Sequence, residues 1–308
     1  MPKKRFQSIF LILLVGGLHV VSGIMGGSAA DADRFPYHTR LNVTATVYGE
    51  FSVSGTLIAP DVVLTDAYSV ADGLSVSGDD VVLGIKAWVN TTTKEKSPYE
   101  YERSARFWLV HPDYDAESVA VNNIALVFLD EPVMDVPLPK LNKKASIPET
   151  GQTLTEIGLG VTKVVPARIF PERLQEVSLN IVFSEACEEA TDPLPEMNMN
   201  TLFCAGGDHK GGCHGDNGGP LLLLSEGGST HGDKDVVVGL YTYMTVPDKL
   251  LDEEYSDCNL PGYPSGFTRV SVYAEWIHSN VRKYSRVKQS KKAQKGSKKG
   301  KVRKYHKF

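Results

Sequence analysis

Gly212-Cys-His-Gly-Asp-Asn-Gly-Gly-Pro220 is the stretch on which the reading of this sequence turns. Its glycines and proline mark a tight loop, and it runs straight into an apolar segment, Gly219–Leu224, with strand character. It is not a Gly-rich phosphate loop, and the chain has no CxxC or HxxxH spacing that would hold a metal.

Outward from this loop, short runs rich in Val, Ile, Leu, Tyr and Thr recur along the chain. They include Leu41–Tyr48, Gly55–Ile58, Val62–Thr65, Val81–Trp88, Phe107–His111, Ile124–Leu129, Gln152–Leu159, Glu176–Phe183 and Val236–Tyr243. Clusters of Gly, Pro, Asn and Asp separate them, which predicts an all-β body of the sandwich or barrel type. Val270–Tyr284 differs. Val272, Trp276, Ile277 and Val281 fall on one helical face, so an amphipathic helix is expected to close the domain.

The chain has 308 residues, 42% hydrophobic and 23% charged, which is globular composition and excludes a disordered or collagen-like protein. The formal charge of −4 hides a split. Thirteen Lys or Arg and no acid lie between Arg282 and Phe308, and all 37 acids lie between Ile24 and Val281. With 17 basic residues there, that stretch carries −20 and forms an acidic body ahead of a basic tail.

Lys3, Lys4 and Arg5 precede the apolar run Ile9–Val21, in the order of a secretory signal. Residues 1–23 are read as that signal, cut after Gly23, with a cut after Ala30 as the alternative. The run is too short to cross a bilayer, so no transmembrane segment is expected. Secretion into an oxidising compartment turns four cysteines into two disulfides, and spacing leaves three pairings open. Asn42-Val-Thr44 and Asn90-Thr-Thr92 become glycosylation acceptors.

Five segments in order carry a resemblance. They are Ile24-Met-Gly-Gly27 with Arg34-Phe-Pro-Tyr37; Ser54–Pro60 with Val63-Leu-Thr-Asp-Ala-Tyr-Ser69; Asn123-Ile-Ala-Leu126; the 212–220 loop; and Gly266-Phe-Thr-Arg-Val270 with Trp276-Ile277. Together they resemble the chymotrypsin/trypsin family of serine proteases, from Ile24 to about Tyr284. The resemblance implies an all-β fold of two six-stranded antiparallel barrels with a C-terminal helix, over residues 24–285. It pairs Cys187 with Cys204 and Cys213 with Cys258, and it leaves Val53 and Ser69 where the family has a further disulfide.

At the three positions of the family's catalytic triad this chain has Tyr68, Asn123 and Asn217. An amide nitrogen does not attack carbonyls. A phenol with an ordinary pKa of about 10 is a poor base at neutral pH, and Asn123 has no charge to stabilise an imidazolium. Loss of a triad as a unit costs on the order of 10⁶ in turnover. The resemblance also places the oxyanion-hole amides at Gly215 and Asn217 and the N-terminus insertion pair at Ile24 and Asp216. It assigns Gly211, His214, Thr242, Tyr243, Met244 and Ser265 to the specificity pocket. Gly211 supplies no carboxylate for a basic side chain, and Met244 is expected to narrow the pocket. Val246–Asp257 is expected to form an acidic loop at its rim. Asp66, two residues before Tyr68, either bonds the altered positions or faces solvent. The histidines other than His214, His38 among them, are read as surface groups.

The function expected is that of a secreted, inactive serine protease homologue. It would act by binding another secreted protein, as an inhibitor, decoy or cofactor. The alternatives are a peptidase of residual or unconventional activity, and a matrix protein anchored by its tail. No cofactor or metal is called for. The Lys-rich stretch 286–308 is a candidate polyanion anchor, and secretion makes nucleic acid the least favoured of its ligands.

Overall fold

A computed structural model describes residues 24–31, 33–73, 80–93, 100–116, 121–163, 168–191, 198–225, 232–244 and 258–287. The signal at 1–23, the segment 246–257 and the tail beyond 287 lie outside the described residues.

After a two-residue strand β1 (Ser28–Ala29), six strands close a barrel: β2 (His38–Ala45), β3 (Gly49–Ala59), β4 (Val62–Thr65), β5 (Val82–Val89), β6 (Tyr101–Val110) and β7 (Ala125–Leu129). Their order around the barrel is β2-β3-β4-β7-β6-β5, and the pairings are antiparallel. In β2, Leu41, Val43 and Ala45 are buried and alternate with the less buried Asn42 and Thr44, the period-2 pattern of a strand with one face on a core. The continuous apolar runs of β4 and β7 are buried at every position.

A second sheet follows, built from β8 (Lys140–Leu141), β9 (Thr153–Gly158), β10 (Gln175–Asn180), β11 (Leu202–Ala205), β12 (Pro220–Leu223), β13 (Val236–Met244) and β14 (Ser265–Arg269). Its order is β1-β10-β9-β12-β13-β14-β11, with β8 on the side of β13. A bridge between Ile181 and Ala205, with the Val182 N–H on the Cys204 carbonyl at 3.1 Å, brings the two ends of its six main strands together. The architecture is the expected all-β double barrel.

Two helices accompany the sheets. α1 (Ser184–Thr191) lies between β10 and β11, and its Cys187 reaches Cys204 on β11. α2 spans Val270–Tyr284, as expected, but its buried residues are Val270, Tyr273 and Ile277. Val272 is 48% exposed, a correction to the expected face. The row inward is 270, 273, 277, 281, 284, which follows the 3.6 period, and Val272 lies off it. Tyr284 packs edge-on to Phe107 and Phe128 of the first barrel. Just beyond, the Ser285 hydroxyl and the Arg286 N–H donate to the two oxygens of Asp61, at 2.5 and 2.7 Å.

His38 is also corrected. It is fully buried in β2, its Nδ1 3.2 Å from the Thr91 carbonyl oxygen, and burial pushes its pKa down to about 4.

Candidate functional site

The chain turns sharply after β4, and Asp66 sets that turn. Its buried carboxylate accepts from the Ser69 N–H at 3.2 Å and the Ser69 hydroxyl at 3.0 Å, the local side-chain bonding that favours Asp in turns. Asp66 therefore faces neither solvent nor the side chains of Asn123 and Asn217. Burial pushes its pKa up to about 6 against the pull of these hydrogen bonds.

The turn presents Tyr68, 37% exposed, at the edge of a cleft of about 530 Å³. Burial, then Tyr48 and Asp66, raise the phenol's pKa, so it stays protonated. Asn123, just before β7, accepts the Tyr68 N–H on its Oδ1 at 2.8 Å. The Asn123 carbonyl takes the Thr268 hydroxyl at 3.1 Å, and that hydroxyl lies 2.7 Å from the Thr242 hydroxyl. Asn217 completes the group. Its carbonyl accepts the Ser54 N–H at 2.9 Å, which ties the loop to the first barrel, and its Nδ2 donates to the Thr242 carbonyl at 3.4 Å.

Tyr68 and Asn217 line the cleft together with His214, Gly215, Leu159, Phe51 and Phe170. Arg40 and Arg168 give this lining two guanidiniums against the single carboxylate of Glu50. Burial, then Arg168, lowers the His214 pKa, which keeps its imidazole neutral.

Behind the loop Asp216 is fully buried. It accepts the Gly160 N–H at 2.8 Å and the Cys213 N–H at 3.0 Å, and burial pushes its pKa up to about 7. Gly158 and Gly160 leave the room it needs, since a Cβ at either would collide with the carboxylate. Ile24 is buried beside the same Gly158. Met25 and Gly211 exchange both of their backbone hydrogen bonds, at 3.0 and 3.1 Å, and so hold the segment in place. In the uncut chain the Ile24 nitrogen is an amide. The ion pair with Asp216 therefore requires cleavage before Ile24.

Gly211 has φ of 138°, and a side chain there would meet the Asn259 Oδ1 at 2.7 Å. Asn259 takes the Ser265 hydroxyl at 2.6 Å and gives its Nδ2 to the Gly212 carbonyl at 2.7 Å. Tyr243 is buried with its ring over Gly266. The backbone of Met244 continues β13, and its side chain lies outside the described residues.

Two residues here escaped the reading of the sequence. Tyr241 is 2% exposed, packs its ring against Gly212, and interacts through its hydroxyl with Ser265. Glu156, fully buried on β9, lies against the same glycine. Burial, reinforced by the Asp216 charge, pushes its pKa well above the ordinary carboxylate value. Both faces of β9 are buried from Leu154 to Gly158, so no alternation in the sequence marks Glu156.

The two disulfides form as Cys187–Cys204 and Cys213–Cys258, with Cα atoms 5.6 and 5.7 Å apart. Cys213, His214 and Cys258 gather donor atoms within 4.8 Å, but both sulfurs are in the disulfide and offer no thiolate. Asn42, 2.5 Å from the Ser52 hydroxyl, and Asn90, with φ of 63°, both lie in the first barrel. No described helix is long and apolar enough to cross a membrane.

Comparison with known proteins matches residues 24–277 to the family described as Trypsin. Human kallikrein-4 is 26% identical over 275 residues, 88% of this chain and 94% of that protein. Human chymotrypsin-like elastase family member 3B is 27% identical over 291 residues, 91% and 99% of the two chains. Phenoloxidase-activating factor 3 of Holotrichia diomphalia is 26% identical over 277 residues, 84% of this chain and 72% of that protein.

Proposed function

We infer that this chain, which belongs to the trypsin family of serine proteases, is a secreted and catalytically inactive member that works by holding a segment of another secreted protein. The observation that carries this reading is the side chain of Tyr241. At the place the resemblance gives to the specificity pocket, the chain has packed its own tyrosine against Gly212, with the hydroxyl on Ser265. A substrate side chain entering beside Gly212 would have to displace that ring.

The groups at the cleft support the same conclusion. Hydrolysis in this family needs a hydroxyl, a base and a buried carboxylate acting together. Here an amide, a protonated phenol and a second amide occupy those places. His214 is neutral and could serve as a base, but the serine hydroxyls that line the cleft are turned to other partners: Ser52 donates to Asn42, Ser54 to the Gly215 carbonyl and Ser69 to Asp66. Tyr68, Phe51 and Phe170 offer aromatic surface, and the excess of guanidinium over carboxylate favours an acidic segment. The similarity to a protein named as an activating factor fits an accessory role.

The test is peptide turnover by the purified protein on a broad peptide mixture, beside an Asn217→Gly control. Neither is expected to cut, while acidic peptides bind and are recovered whole. Turnover that the control lacks would overturn the reading. The basic stretch 286–308 is proposed to hold a polyanion, in a manner that weakens steeply with salt.

A further inference from the structure

A second groove, of about 620 Å³, runs between α2, β8 with the segment that follows it, and the end of β12. It shares no lining residue with the cleft. Its floor is aliphatic, made by Ile58, Leu141, Leu223, Val236, Ile277 and Val281. Its rim carries Lys140, Lys143 and Lys144, all exposed.

The concentration of charge is unusual for this body. Between Ile24 and Val281 the chain carries −20, with only ten lysines, and three of the ten fall within these five residues. Among the described residues the ion pairs are Arg34–Asp235 and Arg40–Glu100, so none neutralises the rim. The rim is also preformed. Buried Asn142 donates its Nδ2 to the carbonyls of Lys144 and Ile147, at 3.1 and 2.8 Å, and accepts the Lys144 N–H at 3.0 Å. Its own N–H anchors on the Val237 carbonyl at 2.9 Å.

We propose that this groove binds a single-chain anionic amphiphile of the fatty-acid type, with the alkyl chain on the aliphatic floor and the carboxylate at the Lys143–Lys144 rim. Size and charge select this occupant. Small-molecule sites fall at roughly 300–1,000 Å³, and this groove lies in that range. The chain's own basic tail is repelled by the same lysines. A neutral hydrocarbon would leave their charge unused.

The test is calorimetric titration of the folded protein with dodecanoate, kept below its micelle concentration, beside dodecyltrimethylammonium. One dodecanoate is expected to bind saturably per chain, and at least tenfold more weakly in Lys143→Glu/Lys144→Glu. The cationic surfactant is expected to bind more weakly than dodecanoate. Ala274→Trp, which fills the floor from α2, abolishes binding while leaving peptide binding in the cleft unchanged. The proposal is overturned by an absence of saturable dodecanoate binding, by equal binding of the cationic surfactant, or by affinity unchanged in both variants. It is also overturned if sedimentation shows a dimer that Ala274→Trp disperses and dodecanoate does not, since a second copy would then be the occupant.

Discussion

Asn123 holds Tyr68 by the main chain, its Oδ1 taking the Tyr68 N–H at 2.8 Å. A carboxylate at position 123 would make the same bond, so the backbone around the altered side chains retains a shape that a working triad could use. Under the proposed function, catalysis is lost twice over, once at the reacting atoms and once at the pocket.

The two losses separate by substitution. Tyr68→His, Asn123→Asp and Asn217→Ser together are expected to give a hydroxyl that a small fluorophosphonate labels. Peptides stay uncut until Tyr241→Gly and Glu156→Val also reopen the pocket. A well-folded triple variant that takes no label would mean that the cleft is not competent even in its backbone.

Gly212 and Tyr241 are expected to be coupled. A Cβ at position 212 would lie 2.7 Å from the Tyr241 ring. Gly212→Ala therefore costs about 1–3 kcal/mol of stability by overpacking. In a Tyr241→Val background the share of that cost due to the ring disappears, while the share due to the Glu156 Oε1, which the Cβ would meet more closely still, remains. Denaturant unfolding of the four proteins in the cycle measures this, and additive effects would place the ring elsewhere.

The ionisation of Asp216 is expected to depend on the N-terminus. Without a neighbouring amine this carboxyl titrates near pH 7 when folded, against about 3.9 when unfolded. The folded state then binds the extra proton, so stability rises as pH falls from about 7 toward 4. A chain that begins at Ile24 brings a positive amine to the buried carboxylate and keeps it ionised. At pH 8 that chain is expected to exceed one beginning at Gly23 by on the order of 3 kcal/mol, the cost of leaving a buried charge unpaired. The difference closes in Asp216→Asn. Equal stabilities of the two chains with Asp216 intact would refute the pairing.

His38 works in the opposite sense. Its folded pKa of about 4 lies below the ordinary 6.5, so below pH 6.5 the unfolded state binds more protons. Its share of stability is present above about pH 6.5 and is lost as pH falls toward 4, up to about 3 kcal/mol. His38→Gln is expected to flatten this part of the pH–stability curve. An unchanged curve would mean that the imidazole is not held neutral.

Most of the strands and the closing helix were legible because each follows a local rule, and both disulfide pairs because the family resemblance implies them; β8 and β11 were not among the runs the sequence marked. Period-2 alternation marks β2, and Val270–Tyr284 has a 3.6-residue period that the structure keeps. Other features have no local signature. His38 looks like any polar residue in a strand, and only the closed barrel around it shows that it is buried. Asp66 could have faced either way, and the choice fell to Ser69, three residues on. Tyr241 was passed over because an aromatic residue in a strand is ordinary. Its significance comes from Gly212 and Ser265, which are distant in sequence and meet it only in the folded chain. Glu156 is silent in the same way, because both faces of β9 are buried and its apolar residues do not alternate.

The buried arrangement of Tyr241, Glu156 and Ser265 bears on the history of the chain as well as its chemistry. Three codon changes would restore the reacting groups at positions 68, 123 and 217. Reopening the pocket is harder. Replacing Tyr241 alone leaves a void beside a buried carboxyl, and replacing Glu156 alone leaves a gap under the ring. Each single step that reopens the pocket is thus a step toward a less stable protein, so under the proposed function the loss of activity does not reverse one substitution at a time.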